Sequence, residues 1–315
     1  MPNNKTNRNV KNIEKNNNGL PSCNINWYPG HMAKTKKQII EDLKLIDVVV
    51  EILDARIPRS SRNPDLQEWT KNKKKIIVLN KSDLAEEKLN KEWVEYFKKQ
   101  GIIAVLADSN SGKGIEEVIR NIEKISQDDK KVFEEKGRTG KAIRVMIIGI
   151  PNVGKSSFIN RITKKTSTQV GNKPGVTRQK QWVQVNKNIQ LLDTPGVLWP
   201  KLEPEEVALN LAYTGTIKDD IVEKVEIAYN LLKYLLENYR TNLLERYKLN
   251  ANEVEEILSN NNQMENENIL EIMHEIGRKR GAIVSGGNVD EEKVSNIILE
   301  DFRSGKLGKI TLETR

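Results

Sequence analysis

The sequence predicts an α/β protein whose sheet is mostly parallel, followed by an all-α domain. Apolar, β-branched runs alternate with helical patterns, as they do in parallel sheets, at residues 47–53, 75–79, 102–106 and 142–148. From about Glu205 the strand pattern ends, and apolar residues keep helical spacing instead. We therefore expect a sheet domain at 25–203 and a helical domain at 204–315.

The elements follow from local patterns. An amphipathic pattern over 32–45 predicts a helix before the first strand, and similar patterns predict the helices between strands, at 64–70, 86–99 and 114–125. Residues 181–185 and 189–192 have the spacing of a hairpin. Later helices are expected at 221–239, 252–258, 268–276 and 290–303.

The first 24 residues are rich in Asn, carry scattered basic side chains and offer almost nothing to bury. This composition predicts a disordered tail. The tail could instead be an organelle presequence, although one Arg and one Ser are few for that role.

The overall composition restricts the class of protein. A net charge of +8 and a pI near 9.2 favour a polyanionic partner, for which nucleic acid is the simplest candidate. A single cysteine, Cys23, excludes an internal disulfide framework and a multi-cysteine zinc site. No apolar run approaches the roughly 18 residues of a membrane span. We expect a cytoplasmic monomer that binds neither membranes nor DNA.

A glycine-rich loop follows the run 142–148. It reads Gly149-Ile-Pro-Asn-Val-Gly-Lys-Ser-Ser157 and precedes a helical pattern, which matches the P-loop spacing G-x-x-x-x-G-K-S in the required strand–loop–helix context. Backbone N–H groups and the helix N-terminus can bind phosphate oxygens there. We predict a nucleoside-triphosphate site, whose loop residues are Asn152, Val153, Gly154, Lys155, Ser156 and Ser157, with Lys155 on the β/γ-phosphates and the Ser156 hydroxyl on Mg²⁺.

A second loop, Asn80-Lys81-Ser82-Asp83, follows the run 75–79 at the edge where open α/β sheets bind ligands. The Asp83 carboxylate can accept hydrogen bonds from guanine N1–H and its 2-amino group, which adenine does not offer, while Asn80 and Lys81 would brace the loop. Alone, these four residues could be a solvated polar turn; beside a P-loop they predict guanine recognition. Backbone N–H groups of Asp108 or Ser109 are candidates to support the base oxygen.

Asp193-Thr-Pro-Gly196 is suited to the phosphate end of the same ligand. Asp193 can hold Mg²⁺ through water, and the Gly196 N–H can face the γ-phosphate. Thr177, in the polar segment before the hairpin, is a candidate to close on Mg²⁺ and the γ-phosphate, or an ordinary loop threonine.

The order of these motifs is unusual, because the two base-reading loops, Asn80–Asp83 and Asp108–Ser109, precede the P-loop. On this order the sequence resembles the circularly permuted GTPases. With Trp27-Tyr-Pro-Gly-His-Met-Ala-Lys34 in front and helices behind, it resembles in particular the ribosome biogenesis GTPase A family, from about residue 25 to the C-terminus. The resemblance implies a P-loop GTPase fold and GTP hydrolysis coupled to late maturation of the large ribosomal subunit, with the helical domain contacting ribosomal RNA.

The hydrolytic group is less obvious. Many GTPases orient water with a Gln just after D-x-x-G, but here Val197 and Leu198 follow Gly196. His31 is the best internal candidate, and proteins similar to this one are thought to use the equivalent histidine; a packing or RNA-contact role is its alternative. Asn152 suggests K⁺ beside the β/γ-phosphates, where it would supply a fixed positive charge.

Other functions stay open at this point. GTP could merely switch an RNA-binding module in which hydrolysis is incidental. A permuted GTPase associated with the small subunit is disfavoured, because that relative resembles a form with a cysteine-rich zinc knuckle and this chain has one Cys. An ATP-using enzyme is disfavoured by Asp83. Two basic stretches, 277–281 and 306–309, are candidate RNA contacts, although charge runs are usually solvated faces.

Overall fold

The computed structural model describes residues 32–127, 142–166, 182–200, 202–217, 223–260 and 265–315. The strands in these ranges are β1 (Val48–Asp54), β2 (Lys74–Asn80), β3 (Ile103–Leu106), β4 (Ile143–Ile148), β5 (Trp182–Asn186) and β6 (Ile189–Asp193). The helices are α1 (Met32–Leu43), α2 (Pro64–Trp69), α3 (Glu87–Lys99), α4 (Ile115–Ile125), α5 (Lys155–Thr166), α6 (Glu205–Tyr213), α7 (Lys224–Asn238), α8 (Arg240–Tyr247), α9 (Ala251–Leu258), α10 (Glu265–Lys279) and α11 (Glu291–Arg303).

The six strands form one sheet in the order β3-β2-β1-β4-β6-β5. All neighbouring pairs are parallel except the hairpin of β5 and β6, which puts the antiparallel strand at one edge. The predicted α/β fold with a mostly parallel sheet is therefore confirmed. Because parallel strands point the same way, the loops after β1, β2, β3, β4 and β6 lie along one edge of the sheet.

The central strands are buried on both faces, which explains their continuous apolar sequence. All seven residues of β1 are buried. On one face Leu53, Ile77 and Leu79 pack with Trp93 and Phe97 of α3. The other face joins the main cluster, which includes residues of α4, α5 and the later helices: Val50, Ile76, Val78, Ile115, Phe158 and Leu231.

Among the helices described after residue 204, α7 is central and contacts α6, α8, α10 and α11, while α9 contacts α10. The apolar stripe of α7 is buried, as a period of 3.6 residues requires, at Ile227, Leu231, Leu232, Leu235 and Leu236. None of the helices in the described ranges combines the length and the apolar character that a membrane span needs.

The C-terminal segment after α11 returns to the sheet. The Ile310 N–H donates to the Leu84 carbonyl at 3.0 Å, and the Leu312 N–H donates to the Arg56 carbonyl at 2.9 Å. Both apolar side chains belong to the main hydrophobic cluster. The core thus continues across residue 203, and the domain boundary expected there stays a prediction.

Candidate nucleotide-binding site

Four of the predicted motifs meet at the carboxyl edge of the sheet. Asn80–Asp83 follows β2, Asp108–Ser109 follows β3, the glycine-rich loop follows β4, and Asp193–Gly196 ends β6. Strand β1 lies between β2 and β4 and ends at Asp54, beside Asn80 in the parallel register. His31 and Thr177 lie outside the described residues, as does the tail 1–24.

The glycine-rich loop connects β4 to α5 and needs its glycines for close backbone approach. Gly149 has φ +151°, and a Cβ there would come within 2.5 Å of the Ile52 carbonyl oxygen. Gly154 has φ +95°, and its Cβ would overlap the side-chain amide of Asn80. The loop therefore has the shape that presents backbone N–H groups and the N-terminus of α5 to phosphate. Ser156 and Ser157 are exposed in the first turn of α5.

Lys155 is the first residue of α5 and is only 8% exposed. Its Nζ donates to the Ile150 carbonyl at 2.7 Å. Burial lowers the pKa of Lys155 to about 8, although the carboxylate of Asp193 opposes this shift. Desolvation likewise raises the pKa of Asp193, against the opposing effects of Lys155 and of the Thr194 N–H. Since both shifts favour the neutral forms, desolvation outweighs the attraction between these two groups.

Asn80 joins three of the loops. Its Nδ2 donates to the Val153 carbonyl at 2.8 Å, and its Oδ1 accepts from the Ser109 N–H at 3.1 Å and from the Ser109 hydroxyl at 2.7 Å. The side chain is 1% exposed, so these hydrogen bonds replace water completely. Asn80 therefore fixes the base-reading loops relative to the P-loop.

Lys81 makes a second connection to the P-loop. Its backbone is left-handed, with φ +59°. Its Nζ donates to the Asn152 carbonyl at 2.7 Å and lies 2.9 Å from a carboxylate oxygen of Asp54. The sequence predicted a strand ending at residue 53 and indicated no role for Asp54, which follows it. Its position at the carboxyl end of the strand next to β2 was the available indication.

Asp83 is exposed and lines a cleft of about 390 Å³. The cleft is also lined by Asp108 and by Lys309 of the C-terminal segment. Ser82 is held by backbone contacts, since its N–H donates to the Ala107 carbonyl and its own carbonyl accepts from Asn90. The Asp83 carboxylate is thus exposed to solvent at the end of the loop that Asn80 fixes.

The backbone donors expected at Asp108 and Ser109 are already engaged. The Asp108 N–H donates to the Lys113 carbonyl at 3.0 Å, and the Ser109 N–H donates to Asn80. The Asp108 carboxylate accepts from the N–H groups of Asn110 and Ser111. Although partial burial alone would raise it, these hydrogen bonds lower the pKa of Asp108. Neither N–H group is free for a base oxygen, because the Asp108 N–H closes its own loop and the Ser109 N–H holds Asn80.

Gly196 lies against the P-loop. A Cβ on it would come within 2.8 Å of the Pro151 nitrogen and 2.9 Å of the Lys155 Nζ, so only glycine fits. The preceding Thr194 hydroxyl donates to the Ile147 carbonyl at 2.6 Å, and Asp193 remains exposed. The Asp193–Gly196 loop and Lys155 therefore form one end of the site.

Asn152 makes a contact that the sequence did not indicate. It has φ +61°, and its Nδ2 donates to the Gly215 carbonyl, after α6, at 2.5 Å. Sequence reasoning considered only a cation beside the phosphates for this side chain. The contact with Gly215 could not be inferred from local pattern, since the two residues are far apart in the chain.

Comparisons with known proteins agree with this geometry. A family model described as 50S ribosome-binding GTPase matches residues 144–273, which places the base-reading loops upstream of the match. Ribosome biogenesis GTPase A of Bacillus cereus is 43% identical over 92% of this chain and 94% of its own. Ribosome biogenesis GTPase A of Thermotoga maritima is 32% identical over 92% of this chain and 94% of its own.

Two solved structures have a similar fold. GDP-bound TM YlqF has a TM-score of 0.60 and 27% identity, covering 88% of this chain and 98% of that one. GNP-bound YlqF from T. maritima has a TM-score of 0.58 and 27% identity, covering 89% and 97%. The predicted resemblance is confirmed: the chain belongs to the ribosome biogenesis GTPase A family.

Proposed function

We propose that this protein binds GTP and GDP, hydrolyses GTP, and acts in ribosome biogenesis in the cytoplasm, at a late step in assembly of the large ribosomal subunit. The observation that carries the proposal is the set of hydrogen bonds made by Asn80. They hold the base-reading loops and the P-loop at one sheet edge, so that a single nucleotide can contact both. The family membership supports the link to ribosome assembly.

Guanine is favoured over adenine because of Asp83. A site built to accept two hydrogen bonds from the base rejects an analogue lacking those donors by roughly 10⁴-fold, since its carboxylate would remain unpaired. Asp83 is exposed at the sheet edge, where a base would reach it.

Mg²⁺ is the proposed cofactor. The hydroxyl of Ser156 and the carboxylate of Asp193 are hard oxygen donors, which suit this ion, and both are exposed at the P-loop end of the site. The raised pKa of Asp193 fits this role, because a bound cation would stabilise its charged form. Thr177 is the further proposed ligand. When bound, Mg²⁺ would neutralise charge on the β- and γ-phosphates.

Water activation cannot come from the residues directly after Gly196. Val197 and Leu198 are both buried and apolar. We assign the role to His31, as the sequence suggests, with stimulation by the ribosomal particle.

K⁺ is proposed as a second cation, with Asn152 as its ligand. The Asn152 Nδ2 donates to the Gly215 carbonyl, and the amide oxygen Oδ1 is the atom of this side chain that would bind K⁺. GTP hydrolysis should be faster in K⁺ than in Na⁺, and Asn152→Ala should remove the difference. Equal single-turnover rates of the unmodified protein in the two salts would contradict this assignment.

The ribosomal particle and its rRNA are the proposed partners, but much of stretch 277–281 has a structural use. Arg278 and Lys279 pair with Glu275, and Arg280 donates to the Arg246 carbonyl and stacks on Tyr247. Beside them, Ile283 and Val284 are 47% and 45% exposed. We propose that residues 278–284, which combine basic side chains with exposed apolar ones, form the surface that contacts the ribosomal particle. Binding through phosphates should weaken steeply with salt.

Sedimentation through sucrose gradients tests the proposal. The tagged protein should co-migrate with large-subunit precursors in a non-hydrolysable GTP analogue and leave them in GDP. Lys155→Ala should lose this dependence, whereas Lys99→Ala, an exposed lysine at the end of α3, should keep it. Co-migration that ignores the nucleotide would contradict the proposal.

A GTP-switched RNA-binding module is the alternative function. Single-turnover hydrolysis with and without large-subunit particles separates the two possibilities. We expect acceleration by the particles; an unchanged rate, together with nucleotide-dependent binding, would favour the module.

A further inference from the structure

A cluster of charged groups lies beneath the base-reading loop Asn80–Asp83 and the P-loop: Asp54 and Arg56 are buried, and Lys81 is partly exposed. Asp54, the last residue of β1, has a side chain that is 2% exposed. Its Oδ1 accepts from the Arg56 N–H and Nε at 3.1 and 3.0 Å, and its Oδ2 lies 2.8 Å from Arg56 Nη2 and 2.9 Å from Lys81 Nζ. Every described partner of this carboxylate is thus a donor from Arg56 or Lys81.

The cluster keeps Asp54 ionised despite its burial. Desolvation alone would raise the pKa of this carboxyl, but Arg56 and Lys81 together hold it well below its usual range. A permanent negative charge therefore faces the ammonium group of Lys81. The Lys81 Nζ is shared between this charge and the Asn152 carbonyl, 2.7 Å away.

Arg56 anchors the carboxylate from the other side. Its guanidinium lies over the Phe302 ring, 5.1 Å from the centroid, and Nη1 is within 3.5 Å of the carbonyls of Phe302 and Arg303 at the end of α11. The Arg56 carbonyl also accepts from Leu312. The bidentate pair is thus fixed to the later helices, and Asp54 has one orientation from which it can hold Lys81.

We propose that Asp54 is a positioning residue for nucleotide binding. Its carboxylate holds the ammonium group of Lys81, in the base-reading loop, against the P-loop, so that the two loops bind the nucleotide at a fixed separation. This inference rests on GTP and GDP binding at this site. Without the Asp54 charge, the Asn152 carbonyl would be the single described acceptor for the Lys81 ammonium group. Water would then compete with that carbonyl, because Lys81 is partly exposed.

Equilibrium binding of a fluorescent GDP to full-length variants tests the proposal. Asp54→Asn should raise the Kd by about tenfold, the size expected from coupling between groups in contact. Lys81→Met should raise it at least as much. If Asp54 acts through Lys81, the double variant should bind no worse than Lys81→Met alone.

A matched control separates positioning from general destabilisation. Asp301 is also buried, pairs with the Nε and Nη2 of Arg246 at 2.9 Å, and lies 3.6 Å from Lys306. Asp301→Asn should lower the melting temperature much as Asp54→Asn does, but leave the Kd for GDP unchanged. An equal rise in Kd for both variants would overturn the proposal.

One outcome overturns the proposal even if Asp54→Asn does not fold: wild-type affinity in Lys81→Met, which leaves the Asp54–Arg56 pair intact. Where the Asp54→Asn variants fold, a double variant that binds clearly worse than Lys81→Met also overturns it. Failure of the proposed function is distinguishable, because then the unmodified protein itself would not bind GDP.

Discussion

Close packing between loops limits which residue types fit at this sheet edge, and Gly154 is the clearest case. Its φ is +95°, and a Cβ would overlap the Asn80 amide. Gly154→Ala should therefore lower the free energy of unfolding by more than the roughly 1–2 kcal/mol of left-handed backbone strain, and GDP binding should be lost as Asn80 is displaced. Urea unfolding and GDP titration measure both effects.

Gly101→Ala is the matched control for that substitution. Gly101 also has positive φ, +73°, but nothing lies within 4 Å of its Cβ position. It should show the backbone strain alone, with unchanged affinity. Equal losses of affinity in the two variants would contradict a role for the Asn80 contact.

Lys155 should make nucleotide affinity depend on pH. Its pKa in the free protein is about 8, whereas bound phosphate would favour the charged form and raise it. Below the lower pKa both states carry the proton, so affinity is constant. As pH rises above it, binding must take up a proton, and affinity should fall by about tenfold per pH unit.

Titration of GDP between pH 7 and pH 9 checks this sign. Lys155→Arg should flatten the profile, even if it binds more weakly, because the guanidinium stays charged throughout this range. A wild-type profile as flat as that of the Arg variant would show that Lys155 does not titrate in the free site.

At the scale of elements, the local sequence pattern was enough to place the motifs at the sheet edge. It was not enough to predict the tertiary contacts that hold them there. Alternating strand and helix patterns imply parallel strands, and parallel strands bring Asn80, Ser109 and Lys155 to one edge. The contacts of Asp54 with Lys81, and of Leu84 with Ile310, join segments by tertiary packing. Periodicity carries no information on such contacts, so they could not be predicted.

The C-terminal segment acts on the loop between β1 and α2 through Glu313. This buried carboxylate accepts from the backbone N–H groups of Arg59 and Ser60, at 2.6 and 2.9 Å, from the Ser60 hydroxyl, and from Asn210 Nδ2 at 3.2 Å. Glu313→Gln would turn an amide donor toward these donors. We expect a loss of about 1–3 kcal/mol in the free energy of unfolding, measured in urea.

An exposed glutamate serves as the control for this substitution. Glu255 pairs with Arg240 at 2.6 Å, and its side chain is 67% exposed. Glu255→Gln should change the free energy of unfolding by less than about 1 kcal/mol, as surface pairs do. Comparable losses in the two variants would mean that Glu313 does not secure the loop.

At the scale of the whole molecule, the sheet and the later helices share one core. The main cluster includes Val50 of β1, Leu231 of α7 and Leu312 of the C-terminal segment. Asn152 of the P-loop also donates to Gly215, and Arg56 reaches the end of α11. These contacts oppose independent unfolding of the parts before and after residue 203.

Two spectroscopic probes can test this coupling, because all five tryptophans precede residue 200, at positions 27, 69, 93, 182 and 199. Tryptophan fluorescence therefore follows the sheet part, whereas far-ultraviolet circular dichroism reports the helices of both parts, including those after residue 204. We expect the two thermal transitions to coincide, and saturating GDP to raise both midpoints equally, since ligand binding stabilises every part of a cooperative unit. A separate dichroism transition that GDP leaves unmoved would show that the helices fold as a domain of their own.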